Sequence, residues 1–402
     1  MKVLITPAHV LLSSRTGTEP TWAYNIVARL AKHFSVQVDA VCGKADGLTL
    51  PSCVKVFEVG FERGDLTNRA LFYFRCYGVA KRLCRSADVV HHMFPFGFRA
   101  GFNPLAIFGH LEDKPFVIGP IQYPQEYSDI TDYEWVSGRG GLKAWLMYYL
   151  EHTMMRFIQK PIEMLHEATL SEAEALVFDS RKTLELYKRL YSDILRRKTL
   201  EVIPPGVEIE QFKYVPPIKK DHFEILTVGY LLKRKGMQYL ISVMPFILRE
   251  VKNVKLRIIG DGPYKAELVR LTKRLSLEDH VIFQGRVTRE ETMKYYHLSD
   301  VFVLPALSTT SGVFLEAQAC GRPVIGTTAG FIPELIVDGR TGFIVAKGCV
   351  EELRERIVRL LNDEELRLRM GINARRWVEE NFDWGKLARR WHDLYEDFTL
   401  KS

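Results

Sequence analysis

The sequence predicts an α/β protein built from two Rossmann-like domains, and three observations support this class. Short apolar runs alternate with amphipathic helical patterns along the chain, which is typical of βαβ units with parallel strands. A length of 402 residues is enough for two domains of ordinary size. Proline-rich connections at Pro204–Gly206 and Pro216–Pro217 interrupt the alternation midway. We therefore expect a domain boundary near residues 205–220.

The first half opens with the apolar run Lys2–Thr6, which we interpret as a buried strand. Thr18–Pro20 then combine a cap residue with an early proline, which is a common helix start. Apolar residues recur at helical spacing from Trp22 to Phe34. Further strands in this half are predicted at 36–41, 87–90 and 116–118.

The second half repeats the same alternation. Its first apolar run, Phe223–Val228, is followed by a helical pattern over Gly236–Arg249. Helical patterns also close the chain, from Val350 to about Phe398. The remaining strands are predicted at 255–259, 281–283, 301–304 and 323–326.

Composition excludes several classes of protein. Lys and Arg number 56 against 49 Asp and Glu, a net charge of +7 that is too dilute for a dedicated nucleic-acid binder but suits a small anion or an anionic membrane surface. No apolar run approaches the ~20 residues that span a bilayer. Pro7 and His9 interrupt the apolar N-terminus, so we expect no export signal. Six cysteines without a C-x-x-C pair indicate reduced thiols in a soluble, cytoplasmic protein.

The segment 139–167 mixes aromatic, methionine and basic residues. One interpretation is a helix that lies on a membrane surface, with aromatic and basic side chains at the headgroups. The alternative is a pair of core-facing helices in the first domain, which the nearly continuous apolar residues favour.

The first chemical motif follows the strand 223–228. Gly229 ends the strand, Lys233, Arg234 and Lys235 follow, and a helix then starts. Open α/β sheets bind ligands beyond the carboxyl ends of their strands, where cations and a helix N-terminus can hold a diphosphate. A solvated basic turn is the alternative. By contrast, the chain lacks the G-x-G-x-x-G, Walker A, G-x-S-x-G and H-E-x-x-H patterns.

Two further strand ends carry related signals. Gly260 and Gly262 permit a tight turn and a close approach of backbone to a ligand. The strand 281–285 ends where a flat base could be received. After the strand 301–304, small hydroxyl residues and Gly312 start a helix whose N–H groups can face an anion. Glu316 lies one turn further on, placed to accept two ribose hydroxyls, with a helix-capping role as the alternative.

From about residue 200 to 395 these motifs resemble, in order and spacing, the retaining, nucleotide-sugar-dependent glycosyltransferases of family 4, which have the GT-B fold. The resemblance implies two Rossmann-like domains facing across a cleft, with a C-terminal helix that crosses back onto the first domain. We accordingly divide the chain into an acceptor-binding domain (1–205), a nucleotide-sugar-binding domain (206–380) and the returning helix (381–402). The matching stretches are EVIPPGVEIEQF, VGYLLKRKG, IIGDGP, VIFQGRV, SDVFVLPAL, GVFLEAQACGRPVIGTTAGFIPELIVDGRTGFIV and NFDWGKLARRW.

The resemblance implies roles for individual residues of the second domain. The family's phosphate-binding lysine falls on Lys235 and its ribose-binding glutamate on Glu316, and these are the two residues that we predict to be catalytic. The base-binding strand end falls on 283–286, and backbone contacts to the donor fall on 311–313. The predicted donor-binding set is Gly17, Gly229, Lys233, Arg234, Gly260, Gly262, Phe283, Gly285, Arg286, Ser308, Ser311, Gly312 and Val313.

Two positions depart from the family. The first glutamate of its Glu-x7-Glu pair would fall on Ser308, which supplies no carboxylate. Its phosphate-binding arginine would fall on Tyr230, and Arg234 or Lys233 are the cations available to substitute. These departures put the identity of the donor sugar in question.

The first domain resembles the family more loosely. Gly17 is the one glycine left in the loop that faces the donor phosphates in the family. His91 and His92 follow a strand and are predicted to orient an acceptor hydroxyl, with a structural role as the alternative. Gln122 and Tyr123 are predicted to bind an acceptor sugar, with a simple turn as the alternative. The family's usual histidine after that strand is missing here, so a general base at that position is not expected.

The expected function is transfer of a sugar from a UDP- or GDP-linked donor to a hydroxyl acceptor with retention of configuration. We expect no cofactor, no metal requirement and no nucleic acid. The expected acceptor is a carbohydrate or a lipid-linked glycan, with peripheral contact to the inner face of the membrane through 139–167. The alternatives are a nucleotide-sugar-binding subunit that has lost activity, and a phosphorylase or epimerase on the same fold.

Overall fold

The computed structural model describes residues 1–13, 18–60, 66–93, 101–123, 159–308 and 312–400. The described residues divide into two compact units. The first unit contains the residues up to 123, then 159–205 and 384–400; the second contains 206–383. The chain therefore enters the second unit after Pro205, at the proline-rich connection, and returns to the first unit at Trp384.

The described part of the first unit contains a seven-stranded parallel sheet. Its strands are β1 Lys2–Ser13, β2 Gln37–Asp46, β3 Val54–Glu58, β4 Val89–His92, β5 Phe116–Ile121, β6 Ala175–Phe178 and β7 Thr199–Val202. They lie in the order β3-β2-β1-β4-β5-β6-β7. The helices of this unit are Thr18–Phe34, Leu66–Leu83, Pro104–Ile107, 159–172, Arg181–Leu190, Ser192–Leu195 and Trp384–Thr399.

Strand β1 is longer than the predicted strand Lys2–Thr6. Its register against β2 shifts between Ile5 and His9, which lets the chain continue as a strand beyond Pro7. Strands β3, β6 and β7 were not predicted, because four or five residues carry too little periodicity to be distinguished from a loop.

The last helix, Trp384–Thr399, packs on the helix Thr18–Phe34 and on β4 in the first unit. Apolar residues at the spacing of one helical face are buried in the core beside β1. The ring of Trp384 lies 6.4 Å from that of Trp22, and Trp391 and Tyr395 are fully buried. The predicted return of the C-terminal helix to the first domain is confirmed.

The described part of the second unit contains a six-stranded parallel sheet. Its strands are β8 Phe223–Val228, β9 Val254–Ile259, β10 Val281–Gly285, β11 Val301–Val303, β12 Val324–Thr327 and β13 Gly342–Val345. They lie in the order β10-β9-β8-β11-β12-β13, so the direction of winding reverses between β8 and β11. The helices are Met237–Glu250, Lys265–Arg274, Arg289–Leu298, Gly312–Ala319, Ile332–Leu335, Val350–Asn362 and Glu364–Asn381.

Two further predictions concern membranes and cysteines. In the ranges that the structure describes, no helix is both long enough and apolar enough to cross a bilayer. All six cysteines are unpaired thiols. Burial raises the pKa of Cys42 to about 12 and that of Cys84 to about 11, so both are protonated at neutral pH.

Candidate functional site

The carboxyl ends of β8 and β11 lie side by side at the point where the winding of the second sheet reverses. Ligands of open α/β sheets bind at such a switch point. The predicted basic residues form a 3₁₀ turn, Lys233–Lys235, between β8 and the helix that starts at Met237. The Leu307 N–H donates to the Arg234 carbonyl over 2.8 Å. The basic turn and the loop after β11, predicted from separate motifs, are therefore direct neighbours.

Gly236 makes this contact sterically feasible. Its φ is +74°, and a Cβ at this position would lie 1.8 Å from the Pro305 carbonyl oxygen. Any side chain would push the basic turn away from the loop. Gly236 thus fixes the two phosphate-binding candidates against each other.

Gly260 and Gly262 allow a close approach, but they approach the backbone of Gly229 and Leu231 in the same unit. A Cβ on Gly260, whose φ is +133°, would lie 1.9 Å from the Gly229 carbonyl oxygen. A Cβ on Gly262 would lie 2.6 Å from that of Leu231. The Gly229 N–H in turn donates to the Ile259 carbonyl over 3.0 Å. These glycines pack the ends of β8 and β9 together and so hold the basic turn in place.

The three cations of the basic turn differ in exposure. Arg234 is only 8% exposed, and its Nη1 donates to the Ser308 Oγ over 3.0 Å. Lys233 is exposed and Lys235 is half-buried. Tyr230, where the family resemblance expects an arginine, is 52% exposed. Arg234 thus reaches from the basic turn to Ser308, the position of the missing carboxylate.

Glu316 is held by two side chains of the helix Arg289–Leu298. The Tyr296 hydroxyl donates to Oε2 over 3.0 Å, and the Arg289 Nη2 lies 3.5 Å from Oε1. The Glu316 side chain is only 19% exposed. Burial raises the pKa of Glu316, while the Arg289 charge and the Tyr296 hydrogen bond oppose that rise. Sequence reasoning missed Arg289 and Tyr296, whose polar surface helix carries no distinctive motif.

The other donor candidates lie around this arrangement. Gly312 and Val313 are half-buried in the first turn of the helix that carries Glu316. At the end of β10, Phe283 is half-buried, Arg286 is exposed, and the Gly285 carbonyl accepts from the Gly260 N–H over 2.8 Å. Ser311 and Gly17 lie outside the described residues.

His91 is fully buried under the last helix of the first unit. Its Nε2 donates to the Gly119 carbonyl over 2.7 Å, and its Nδ1 accepts from the Tyr395 hydroxyl over 2.7 Å. Its ring stacks on Trp391 at 4.9 Å. Burial lowers the pKa of His91 to about 4, although the bond to Gly119 opposes this. Both ring nitrogens are engaged, which favours the structural alternative.

His92 faces the opposite side of the sheet, because successive strand residues alternate. It is fully buried, 3.2 Å from the Asn103 side-chain amide and 5.8 Å from the Tyr73 ring. The structure therefore does not bring His91 and His92 together. A joint role in orienting one acceptor hydroxyl has no geometric support.

Gln122 and Tyr123 follow β5 and are half-buried. The Tyr123 N–H donates to the Asp179 Oδ2 over 2.9 Å, and the Lys182 Nζ lies 5.5 Å from the Tyr123 ring. Asp179, at the end of β6, was not singled out from the sequence. Its Oδ1 also accepts from the Ser180 hydroxyl over 2.8 Å, at the start of the following helix. The acceptor role of Gln122 and Tyr123 stays a prediction.

Comparison with known structures defines the fold. Sucrose-phosphate synthase from Thermosynechococcus elongatus superimposes with a TM-score of 0.71 at 19% identity, covering 100% of this chain and 99% of that one. WaaG, a glycosyltransferase involved in lipopolysaccharide biosynthesis, gives 0.66 at 20% identity, covering 98% and 99%. The predicted fold class, α/β with two Rossmann-like domains of the GT-B type, is confirmed.

Sequence comparison extends this likeness to a family model. Residues 208–377, in the second unit, match the model described as "Glycosyl transferases group 1", so the predicted resemblance of this region to that family is confirmed.

Two curated relatives illustrate the range of the matches. Over 241 residues the chain is 30% identical to the GDP-mannose-dependent alpha-(1-6)-phosphatidylinositol monomannoside mannosyltransferase of Mycolicibacterium smegmatis, covering 56% of this chain and 62% of that protein. Over 191 residues it is 33% identical to the N-acetyl-alpha-D-glucosaminyl L-malate synthase of Bacillus anthracis, covering 47% and 49%. The chain thus spans between about half and three-fifths of the length of these two relatives.

Proposed function

We propose that the protein is a glycosyltransferase that moves a sugar from a nucleoside-diphosphate sugar to a hydroxyl acceptor with retention of configuration. The observation that carries the proposal is the contact between the basic turn Lys233–Lys235 and the loop that leads into the helix Gly312–Ala319. Cations lie there beside the loop that leads into a helix, at the switch point of the sheet in the region that matches the glycosyltransferase model.

The chemistry requires stabilisation of the negative charge that develops on the departing nucleoside diphosphate. Lys235 and its neighbouring cations supply positive charge at the site, and the helix start supplies oriented N–H groups. Glu316, held from the side by Tyr296, accepts hydrogen bonds from the ribose hydroxyls. The strand end at 283–286 receives the base. GDP is the first nucleotide to test, since the mannosyltransferase relatives are named as GDP-mannose-dependent.

Calorimetry tests this proposal. We expect one of GDP, UDP and ADP to bind with micromolar affinity, and Lys235→Ala and Glu316→Gln each to weaken that binding at least about tenfold, as expected for loss of a charge-assisted contact. Lys252→Ala is the matched control, because this exposed lysine precedes β9 at the opposite edge of the sheet. No binding of any nucleotide, or equal losses in all variants, would contradict the proposal.

Turnover separates the alternatives. Transfer that depends on an added acceptor supports a transferase. Conversion of the nucleotide sugar alone, or with inorganic phosphate, indicates an epimerase or a phosphorylase. Nucleotide binding without any turnover indicates a binding subunit, the outcome that Ser308 and Tyr230 motivate.

For the acceptor we propose a lipid-linked glycan at an anionic membrane surface. Relatives are named for phosphatidylinositol-linked substrates. Residues 139–158, which form most of the segment predicted to contact the membrane, lie outside the described residues. The first unit exposes a second group of apolar side chains. Leu71, Phe74 and Phe108 are 46%, 47% and 50% exposed, and the two phenylalanine rings lie 6.3 Å apart. The helix Leu66–Leu83 carries four Arg and Lys residues and no carboxylate.

Vesicle flotation tests the membrane proposal separately from catalysis. We expect the protein to float with vesicles of anionic lipid at low salt, and Phe74→Ser with Phe108→Ser to abolish this while nucleotide binding persists. Phe246→Ser is the control, because Phe246 is 46% exposed in the second unit. Absence of flotation in the unmodified protein would exclude this proposal.

A further inference from the structure

A ribose-binding carboxylate must stay ionised and correctly oriented. Burial of Glu316 works against this requirement, because removal from water raises the pKa of a carboxyl group and favours its protonated form. A protonated Glu316 would lose acceptor capacity toward a ribose diol. The groups that keep it charged therefore determine whether the site works at a given pH.

Two such groups come from one face of one helix. Arg289 and Tyr296 are seven residues apart, two turns along the helix Arg289–Leu298, so both point toward the helix that carries Glu316. Tyr296 is fully buried, and its ring lies 6.2 Å from that of Phe212 and 5.8 Å from that of Phe302. Its hydroxyl is consequently a fixed donor to the carboxylate.

Arg289 is held differently. Its guanidinium lies 5.1 Å from the centroid of the Phe212 ring, a cation–π contact, and a capping box of Thr288 and Glu291 fixes the start of its helix. Phe212 is itself fully buried, and its carbonyl accepts from the Arg375 Nη1 over 2.6 Å. The Arg289 side chain nevertheless stays 37% exposed. The buried Phe212 ring thus holds the partly exposed Arg289 guanidinium beside Glu316.

Other ionisable groups near Glu316 do not replace this charge. Cys320, which directly follows the helix that carries Glu316, has its pKa raised to about 12 by burial and is neutral. Arg322 and Arg375 are near Cys320 but donate to backbone carbonyls. Within the described ranges, Arg289 is the cation that forms an ion pair with Glu316.

We propose that Arg289 is the positioning residue of the nucleotide site: stacked on Phe212, it holds the Glu316 carboxylate in the ionised, ribose-accepting state. This inference rests on the proposed function, in which Glu316 binds ribose. Tyr296 is the fixed second support, and Arg289 adds the positive charge.

The test is calorimetric binding of GDP and UDP between pH 5 and 8, with the nucleotide that binds used throughout. In the unmodified protein, binding weakens as the pH falls and Glu316 takes up a proton. Arg289→Gln removes the opposing charge, so the loss should begin at a higher pH, with affinity at pH 7 reduced about fivefold. Arg289→Lys should restore part of the affinity. Lys294→Gln is the control, since it removes a charge from an exposed position on the same helix.

A second probe isolates the ribose. With the 2′,3′-dideoxy form of the same nucleotide, Arg289→Gln and Glu316→Gln should change the binding affinity little. The ribose hydroxyls that would donate hydrogen bonds to Glu316 are absent from this nucleotide. Thermal melting confirms that each variant is folded.

The outcomes separate two failures. If no nucleotide binds, or if Glu316→Gln binds normally, the role proposed for Glu316 is wrong and the inference falls with it. If Glu316→Gln loses binding but Arg289→Gln keeps the affinity and pH profile of the unmodified protein, the inference alone is overturned. An equal effect of Arg289→Gln on the dideoxy nucleotide would also overturn it, since that result indicates a general structural effect.

Discussion

Polar residues follow strands in both sheets, but their side chains differ in exposure. At the end of β4 in the first unit, His91 and His92 are fully buried on opposite faces of the sheet. At the end of β8 in the second unit, Lys233 is exposed and Lys235 half-buried, on a turn that is packed from below by backbone. The first arrangement consumes its polar atoms in internal hydrogen bonds. The second keeps Lys233 exposed at the surface.

The difference shows what keeps a strand end open for a ligand. Gly236 and Gly260 let neighbouring loops meet through backbone, so Lys233 on the basic turn can stay exposed. In the first unit the last helix covers β4, and the ring of His91 is enclosed between Trp391 and the Gly119 carbonyl. A polar residue after a strand is therefore a weak signal of a site, while glycine, cations and a helix start in succession form a strong one.

The largest effect on stability should come from removing a side chain that covers β4 in the first unit. Trp391→Ala removes a fully buried side chain and should lower the free energy of unfolding of the first unit by about 4 kcal/mol. Hydrogen exchange should increase at β4 and stay unchanged at β8. Trp377→Ala, in the half-buried indole that donates to the Leu335 carbonyl, is the reciprocal control and should affect the second unit. Equal exchange in both sheets after Trp391→Ala would mean that the units do not respond separately.

The second prediction concerns acid. The pKa of His91 lies near 4 in the folded protein, below its ordinary value of 6.5, so between these values the unfolded chain binds a proton that the folded chain does not. Stability should therefore fall as the pH drops from 6.5 to 4, by up to about 3 kcal/mol from this group. Denaturant unfolding across this range should show a shallower pH dependence for His91→Gln. His33→Gln, at an exposed position, should keep the slope of the unmodified protein.

The smallest effect should come from the open region. Gly236→Ala and Gly339→Ala each place a Cβ at a φ close to +73°, but only the first meets an atom, the Pro305 carbonyl oxygen. We expect Gly339→Ala to lower the free energy of unfolding by about 1 kcal/mol, because of its backbone conformation, and Gly236→Ala to lower it by about 2 kcal/mol in all. Nucleotide affinity should fall in Gly236→Ala alone. Equal stability and affinity in both variants would show that the contact between turn and loop is not required.

Much of the fold follows from the sequence because buried parallel strands are continuous apolar runs and helices repeat at 3.6 residues. The donor side of the site follows from glycine and cation spacing. The burial of His91 and His92 does not follow from the sequence, because a strand pattern does not indicate which element packs on each face of the sheet. Here Trp391, about 300 residues further along the chain, packs on His91. Arg289 and Tyr296 are likewise visible only once two helices are packed together.

The cover of β4 also affects how the protein is made. Strand β7 ends at Val202, roughly 190 residues before Trp391, a stretch that a ribosome synthesises in about 10 to 40 seconds. During that interval all seven strands of the first sheet exist, but the apolar surface beneath the helix Trp384–Thr399 has no cover. A chain in this state exposes apolar surface that the complete first unit buries, and of the two units the one translated first is completed last.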